Sequence, residues 1–118
     1  MIGHAFLAAS NLASLLKHFE EAKSLLRKVI PVARRVLGED HRLTLKMRSL
    51  YATALLRSPR GRDGATLDDL REAVTTLEDV DRIARRVLGG AHPMTARIEN
   101  VLQDARAALR ARETVETP

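Results

Sequence analysis

With 118 residues, 45% of them hydrophobic and only 3% aromatic, the chain can form one domain whose core favours helices packed on helices. The absence of cysteine excludes disulfides and thiolate metal sites and fits a reducing compartment, so we expect a cytoplasmic protein. The net charge of +5 arises from 20 basic and 15 acidic residues that are interspersed, a pattern typical of solvated helix faces rather than of a nucleic-acid-binding surface.

The first predicted helix covers the N-terminal third of the chain. Apolar residues recur there at uninterrupted steps of three and four, at Ala5, Ala8, Leu12, Leu15, Phe19, Ala22, Leu26, Val29, Ala33 and Val36. Gly38 can adopt the left-handed conformation that ends a helix. Arg34 and Arg35 suit the negative end of the helix dipole. The pattern therefore predicts a helix that ends just before Gly38.

The next predicted elements are a helix, a loop and the start of a third helix. The second helix covers about residues 42–57, and residues 58–64 form a loop with one proline and two glycines. Thr66 is the predicted N-cap of the third helix. Asp69 stands three positions later, which completes a capping box.

The third helix is expected to end at Gly89-Gly90 and a fourth to begin at Pro93, where the first turn tolerates a missing N–H. This organisation predicts a helical domain at 1–112 and a disordered tail at 113–118. The predicted buried positions include one leucine from each helix, namely Leu26, Leu50, Leu77 and Leu102.

One phrase occurs twice: Arg-Arg-Val-Leu-Gly-x-x-His stands at 34–41 and again 51 residues later, at 85–92. With Asn11-Leu12-Ala13 and Phe19-Glu20-Glu21-Ala22, it resembles tetratricopeptide repeats of the variant found in kinesin light chains. The resemblance implies an all-α fold of antiparallel helical hairpins. Its parts would be repeat 1 at about 4–38, repeat 2 at about 41–89 and a closing helix at about 93–112. It also implies a non-enzymatic scaffold that binds a peptide segment of a partner protein in a groove lined by the first helix of each repeat.

The connection at residues 16–19 leaves two structures open for the first repeat. The resembled family has several turn residues between its two helices, whereas only Lys17 and His18 stand between Leu16 and Phe19, and neither favours a tight turn. Local sequence therefore favours one continuous helix from about 4 to 37 over a hairpin. Its uncovered apolar stripe would then lead to a homodimer, by domain swapping or by side-by-side packing. A structural self-assembly module is thus the alternative function.

The candidate peptide-binding surface consists of polar residues spaced mostly by three or four on the first helix of each repeat and on the closing helix. These residues are Asn11, Ser14, His18, Arg42, Lys46, Ser49, Thr53, Arg97 and Asn100. In the resembled family, the asparagine that matches Asn11 contacts the peptide backbone. Arg42, Lys46 and Arg97 would favour an acidic peptide. A merely solvated face would show the same spacing.

No motif for other chemistry was found. Of the four histidines, His41 and His92 occupy the corners of the repeated phrase, where a capping role is expected, and no pair forms His-x-x-x-His. The glycines form no phosphate-binding loop, and no serine stands in a nucleophile elbow. There is no run of 18 apolar residues, and the apolar N-terminus lacks the basic residues of a secretory signal. We expect no enzyme, cofactor, metal, nucleic-acid partner or membrane partner.

Overall fold

The computed structural model describes the backbone of residues 2–57 and 66–116, and the side chains of residues 18–57 and 66–114. Within these ranges the chain forms four helices and no strand: α1 (Ile2–Val36), α2 (Arg42–Arg57), α3 (Leu67–Val87) and α4 (Pro93–Glu116). Consecutive helices pack against each other, and α4 also contacts α2. The predicted all-α fold is confirmed.

The first helix is continuous through Lys17 and His18. It is therefore the long helix that local sequence favours, and the first repeat does not form a hairpin. At 1.5 Å per residue, α1 is about 52 Å long and α2 about 24 Å. Because α2 follows directly after the turn at Gly38, it can cover only the C-terminal half of α1.

The helix ends follow from local sequence. Gly38 and Gly89 have φ values of +97° and +92°, in the left-handed region that suits glycine. The Thr66 Oγ1 atom accepts the Asp69 N–H at 3.1 Å, and the Asp69 carboxylate accepts the Thr66 N–H at 3.3 Å. The predicted capping box is confirmed.

The fourth helix extends farther than predicted. It continues to Glu116, so the expected helix end at 112 is wrong, and residues 113–116 are helical rather than a disordered tail. The preceding alanine, leucine, arginine and glutamate residues are strong helix formers, and the Thr114 hydroxyl donates to the Arg110 carbonyl at 2.8 Å. Residues 117–118 lie outside the described residues.

The core lies between α2, α3 and α4. Its buried members are Leu45, Ala52, Leu55, Ala73, Val74, Leu77, Val80, Ile83, Ala84, Ile98, Leu102 and Ala105. Leu77 and Leu102 are buried as predicted, whereas Leu26 is only half-buried. The prediction for Leu50 is wrong, because half of this side chain is exposed.

The error at Leu50 reflects the orientation of α2. This helix carries apolar residues on two faces, one with Leu43 and Leu50 and the other with Leu45 and Leu55. Periodicity alone selects the first face, but α2 buries the second. The buried face also contains Arg48, which no hydrophobic pattern would place in a core.

We predict that Leu77→Ala lowers the free energy of unfolding by about 2–5 kcal/mol, because it leaves a cavity in a fully buried site. The same replacement at the exposed Leu50 is the matched control and should cost less than about 1 kcal/mol. Urea unfolding monitored by circular dichroism measures both. Equal losses at the two positions would contradict the orientation of α2.

Candidate functional site

A groove of about 570 Å³ opens between α2 and α4, lined by His41, Arg42, Leu43, Lys46, His92, Pro93, Met94 and Arg97. A cavity of about 120 Å³ continues it along the same helices, lined by Lys46, Ser49, Leu50, Met94, Arg97 and Ile98. Because Lys46, Met94 and Arg97 line both, the two cavities adjoin each other, and together they are called the α2–α4 groove. The first cavity joins the first turns of α2 and α4, and the second joins residues farther along both helices, so α2 and α4 run parallel.

The repeated phrase builds one end of this groove. The Nδ1 atoms of His41 and His92 accept the backbone N–H groups of Leu43 and Met94, each at 3.0 Å. The two histidines thus cap α2 and α4, as the sequence predicts. Two helix N-termini, each with the positive end of a helix dipole, therefore lie side by side at the mouth of the groove.

The polar side chains that line the groove are largely hydrogen-bond donors. Arg42, Lys46 and Arg97 are exposed, and no aspartate or glutamate is among the lining residues. The Arg42 Nη2 atom lies 3.1 Å from His92 Nε2. Since His92 Nδ1 accepts the Met94 N–H, a neutral ring carries its proton on Nε2, so that two donors face each other. An anionic acceptor would satisfy both.

Four of the predicted binding residues meet in the groove, namely Arg42, Lys46, Ser49 and Arg97. Thr53 lies on α2 one turn beyond Ser49, and its hydroxyl donates to the Ser49 carbonyl at 3.0 Å. Asn100 is exposed on α4. Neither of these two is among the lining residues.

The predicted binding residues of the first helix are placed differently. His18 is exposed on α1 and does not line the groove, because α1 continues through it instead of turning back beside α2. Asn11 and Ser14 also belong to α1, and their side chains lie outside those that the structure describes.

Sequence analysis missed the apolar part of the groove. Leu43 and Leu50 are 44% and 50% exposed, and they line it together with Met94. Leu50 was predicted to be buried in the core. The signal in the sequence that could have indicated this is the second apolar face of α2, with Leu45 and Leu55. Because that face packs in the core, the face with Leu43 and Leu50 can remain exposed.

A second polar cluster joins α2 to α3. Arg48 is only 8% exposed, and its Nη1 atom lies 2.8 Å from Asp79 Oδ2. Partial burial alone would raise the pKa of the Asp79 carboxyl. The hydrogen bonds and charges of Arg48 and Arg82 outweigh that effect and hold its pKa below the ordinary value. The cluster neutralises a buried cation, which makes it structural.

A neighbouring set of contacts joins α1 to the same two helices. The Arg27 guanidinium donates to the Tyr51 hydroxyl at 3.0 Å, and that hydroxyl donates to the Glu72 carboxylate at 3.0 Å. Burial is the largest contribution to the raised pKa of Tyr51. These bonds link α1 to α2 and α2 to α3, and their residues do not line the α2–α4 groove.

Two other kinds of site are absent from the described residues. No three histidine, cysteine, aspartate or glutamate side chains cluster there so that they could hold a metal ion. In the same part of the chain, no helix has both the length and the apolar character needed to cross a membrane.

Comparison with known proteins identified one family. Residues 7–43 match the family model of the tetratricopeptide repeat. No curated protein and no solved structure matches the chain. The matched range includes both sides of Lys17 and His18 and extends past the end of α1 to the start of α2.

We predict that Asp79→Asn destabilises the fold by about 1–3 kcal/mol, because Arg48 then loses its nearer carboxylate and keeps only Glu39, whose Oε2 atom lies 3.8 Å away. The folded-state pKa of Asp79 is lowered, so its contribution is present above the ordinary carboxyl pKa and is lost as the pH falls through the lowered value. The stability gap between the two proteins should therefore narrow below about pH 4.

Glu78→Gln is the matched control, because it makes the same chemical change in an exposed pair with Arg106. It should cost less than about 1 kcal/mol. Urea unfolding at several pH values gives all three stabilities. A gap for Asp79→Asn that is independent of pH would contradict the role assigned to this carboxylate.

Proposed function

Because the chain is a tetratricopeptide repeat protein, we propose that it is a non-enzymatic scaffold that binds an acidic peptide segment of a partner protein in the α2–α4 groove. Tetratricopeptide repeats generally mediate protein–protein interaction. The observation that supports this ligand is a groove with three cations, two exposed leucines and no acidic lining residue.

Charge is the first reason for an acidic ligand. Arg42, Lys46 and Arg97 combine with two helix N-termini to give the groove a positive potential. Such a potential accelerates the encounter with a negatively charged segment and disfavours basic ones. The facing donors of Arg42 and His92 give a carboxylate a defined place to bind.

The exposed leucines limit the ligand further. Leu43 and Leu50 are two helical turns apart, about 10.5 Å along α2. A peptide in the polyproline II conformation has three residues per turn and advances about 3.1 Å per residue, so apolar side chains three positions apart lie on one face and can reach both leucines. The proposed ligand is therefore an acidic segment that contains two apolar residues at that spacing.

Catalysis in this groove is not part of the proposal. The Nδ1 atoms of His41 and His92 are engaged in the caps, and the lining residues offer no carboxylate to serve as a partner base. Binding is the activity that such a set of side chains supports.

Self-assembly is a second candidate function, and it uses a different surface. Leu25 and Val36 on α1 are 61% and 73% exposed, which is unusual for large apolar side chains on a helix. Val32, on the same face, is 46% exposed. This apolar face supports association through α1, as the continuous helix predicts.

We predict that a fluorescent acidic peptide with two apolar residues three positions apart binds the chain and binds more weakly as salt increases. Replacing Arg42 and Lys46 together by glutamate should abolish binding, because two attractive charges become repulsive. Fluorescence anisotropy in a salt series measures both effects.

The matched control is the double replacement of Arg35 and Arg110 by glutamate. Both arginines are exposed, neither lines the α2–α4 groove, and the change in net charge is the same. This control should bind almost as the parent does. Equal losses in the two double variants would show that net charge, and not the groove, attracts the peptide.

A further inference from the structure

The second repeat supplies a direct comparison for the uncovered face of α1. When the two copies of the repeated phrase are aligned at their 51-residue offset, residues 16–36 of α1 correspond to α3 (Leu67–Val87). Glu72 and Asp79 contact Tyr51 and Arg48, which marks the side of α3 that faces α2. The apolar residues on that side are buried, namely Ala73, Val80 and Ile83.

The equivalent residues of α1 are not buried. They are Ala22, Val29 and Val32, of which Ala22 is exposed and Val29 half-buried. Val32 is 46% exposed, whereas its counterpart Ile83 is 4% exposed. The difference has one structural cause: α2 covers this face of α3, and no helix in the described part of the chain covers the same face of α1.

The segment that precedes this half of α1, residues 2–16, has the composition of a helix that is covered. It contains no aspartate, glutamate, lysine or arginine, although 30% of the whole chain is charged. An apolar stripe on a helix normally packs against another element. Its apolar residues recur at steps of three and four and so share one face, at Ala5, Ala8, Leu12 and Leu15.

This segment cannot cover its own chain. The family match at 7–43 begins within it and continues through the second half of α1, so it occupies the place of the first helix of a repeat. The same place in the second repeat is held by α2, which packs on α3. Because α1 is continuous, residues 2–16 point away from the face that they would otherwise cover.

We propose that residues 2–16 of a second copy cover the apolar face formed by Leu25, Val29 and Val32, and that the two chains exchange these segments reciprocally. The two α1 helices would then be antiparallel, and each chain would complete the first repeat of the other. This proposal specifies the partner and the contact for the self-assembly function proposed above, and it does not depend on the α2–α4 groove.

Light scattering tests the exchange. The parent chain should have twice the monomer mass of 13.1 kDa. Insertion of a four-residue, glycine-containing turn after Leu16 should halve the mass, because the segment can then fold back on its own chain. Circular dichroism should show similar helix content and a cooperative melt. A monomeric parent, or a variant that remains dimeric, would overturn the exchange.

Point variants test the same face without an insertion. Val32→Asp should weaken the dimer by about tenfold or more, because it buries a carboxylate in the apolar contact. Val87→Asp is the matched control, since Val87 is also exposed, at 45%, but lies at the end of α3. It should leave the dimer intact. Equal effects of the two changes would overturn the assignment of this face.

The exchange and the α2–α4 groove can fail separately. The monomeric insertion variant keeps α2 and α4, so an acidic peptide should still bind to it. Peptide binding without a dimer would remove the exchange and retain the groove. A dimer that responds to Val32→Asp but binds no acidic peptide would remove the groove and retain the exchange.

Discussion

The packing of α2 against all three other helices is the constraint on which the rest of the structure depends. A helix that packs against several neighbours buries the residues that face them, and in α2 these residues include Arg48. The ion pair with Asp79 makes that burial tolerable, because it keeps the cation from being unpaired in the interior. With this face turned inward, Leu43 and Leu50 remain in the groove that opens toward α4.

The repeated phrase Arg-Arg-Val-Leu-Gly-x-x-His forms the same kind of helix connection twice, between α1 and α2 and between α3 and α4. Each copy ends a helix at a left-handed glycine and caps the following helix with a histidine. Because the following helices, α2 and α4, lie beside each other, the two capped N-termini also lie side by side. The positive potential of the α2–α4 groove comes partly from backbone dipoles and partly from three cationic side chains. One end of the groove thus arises from residues that also turn the chain.

The continuity of α1 distinguishes it from the pair α2 and α3. These two are separate helices that pack on each other, and their apolar faces cover one another. Along α1 the chain does not turn back, and Val32 remains exposed where its counterpart Ile83 is buried. Lys17 and His18 are both compatible with a helix, and neither favours a tight turn. The helix-forming preference of a short segment therefore leaves an apolar face of α1 uncovered in the described part of the chain.

The sequence by itself determined the features that depend on neighbours along the chain. These include the helix positions, the glycine ends and the capping box at Thr66, because hydrogen bonds and turns are local. For α1 the sequence favoured a continuous helix but left a hairpin open, and the structure decided between them. The sequence also predicted four residues that line the groove. Helical spacing places Arg42, Lys46 and Ser49 on one side of α2, and Arg97 belongs to α4. The orientation of α2 was decided only by tertiary structure. Two apolar faces of this helix are equivalent in pattern, and the burial of Arg48 depends on Asp79, which is distant in sequence and adjacent only after folding.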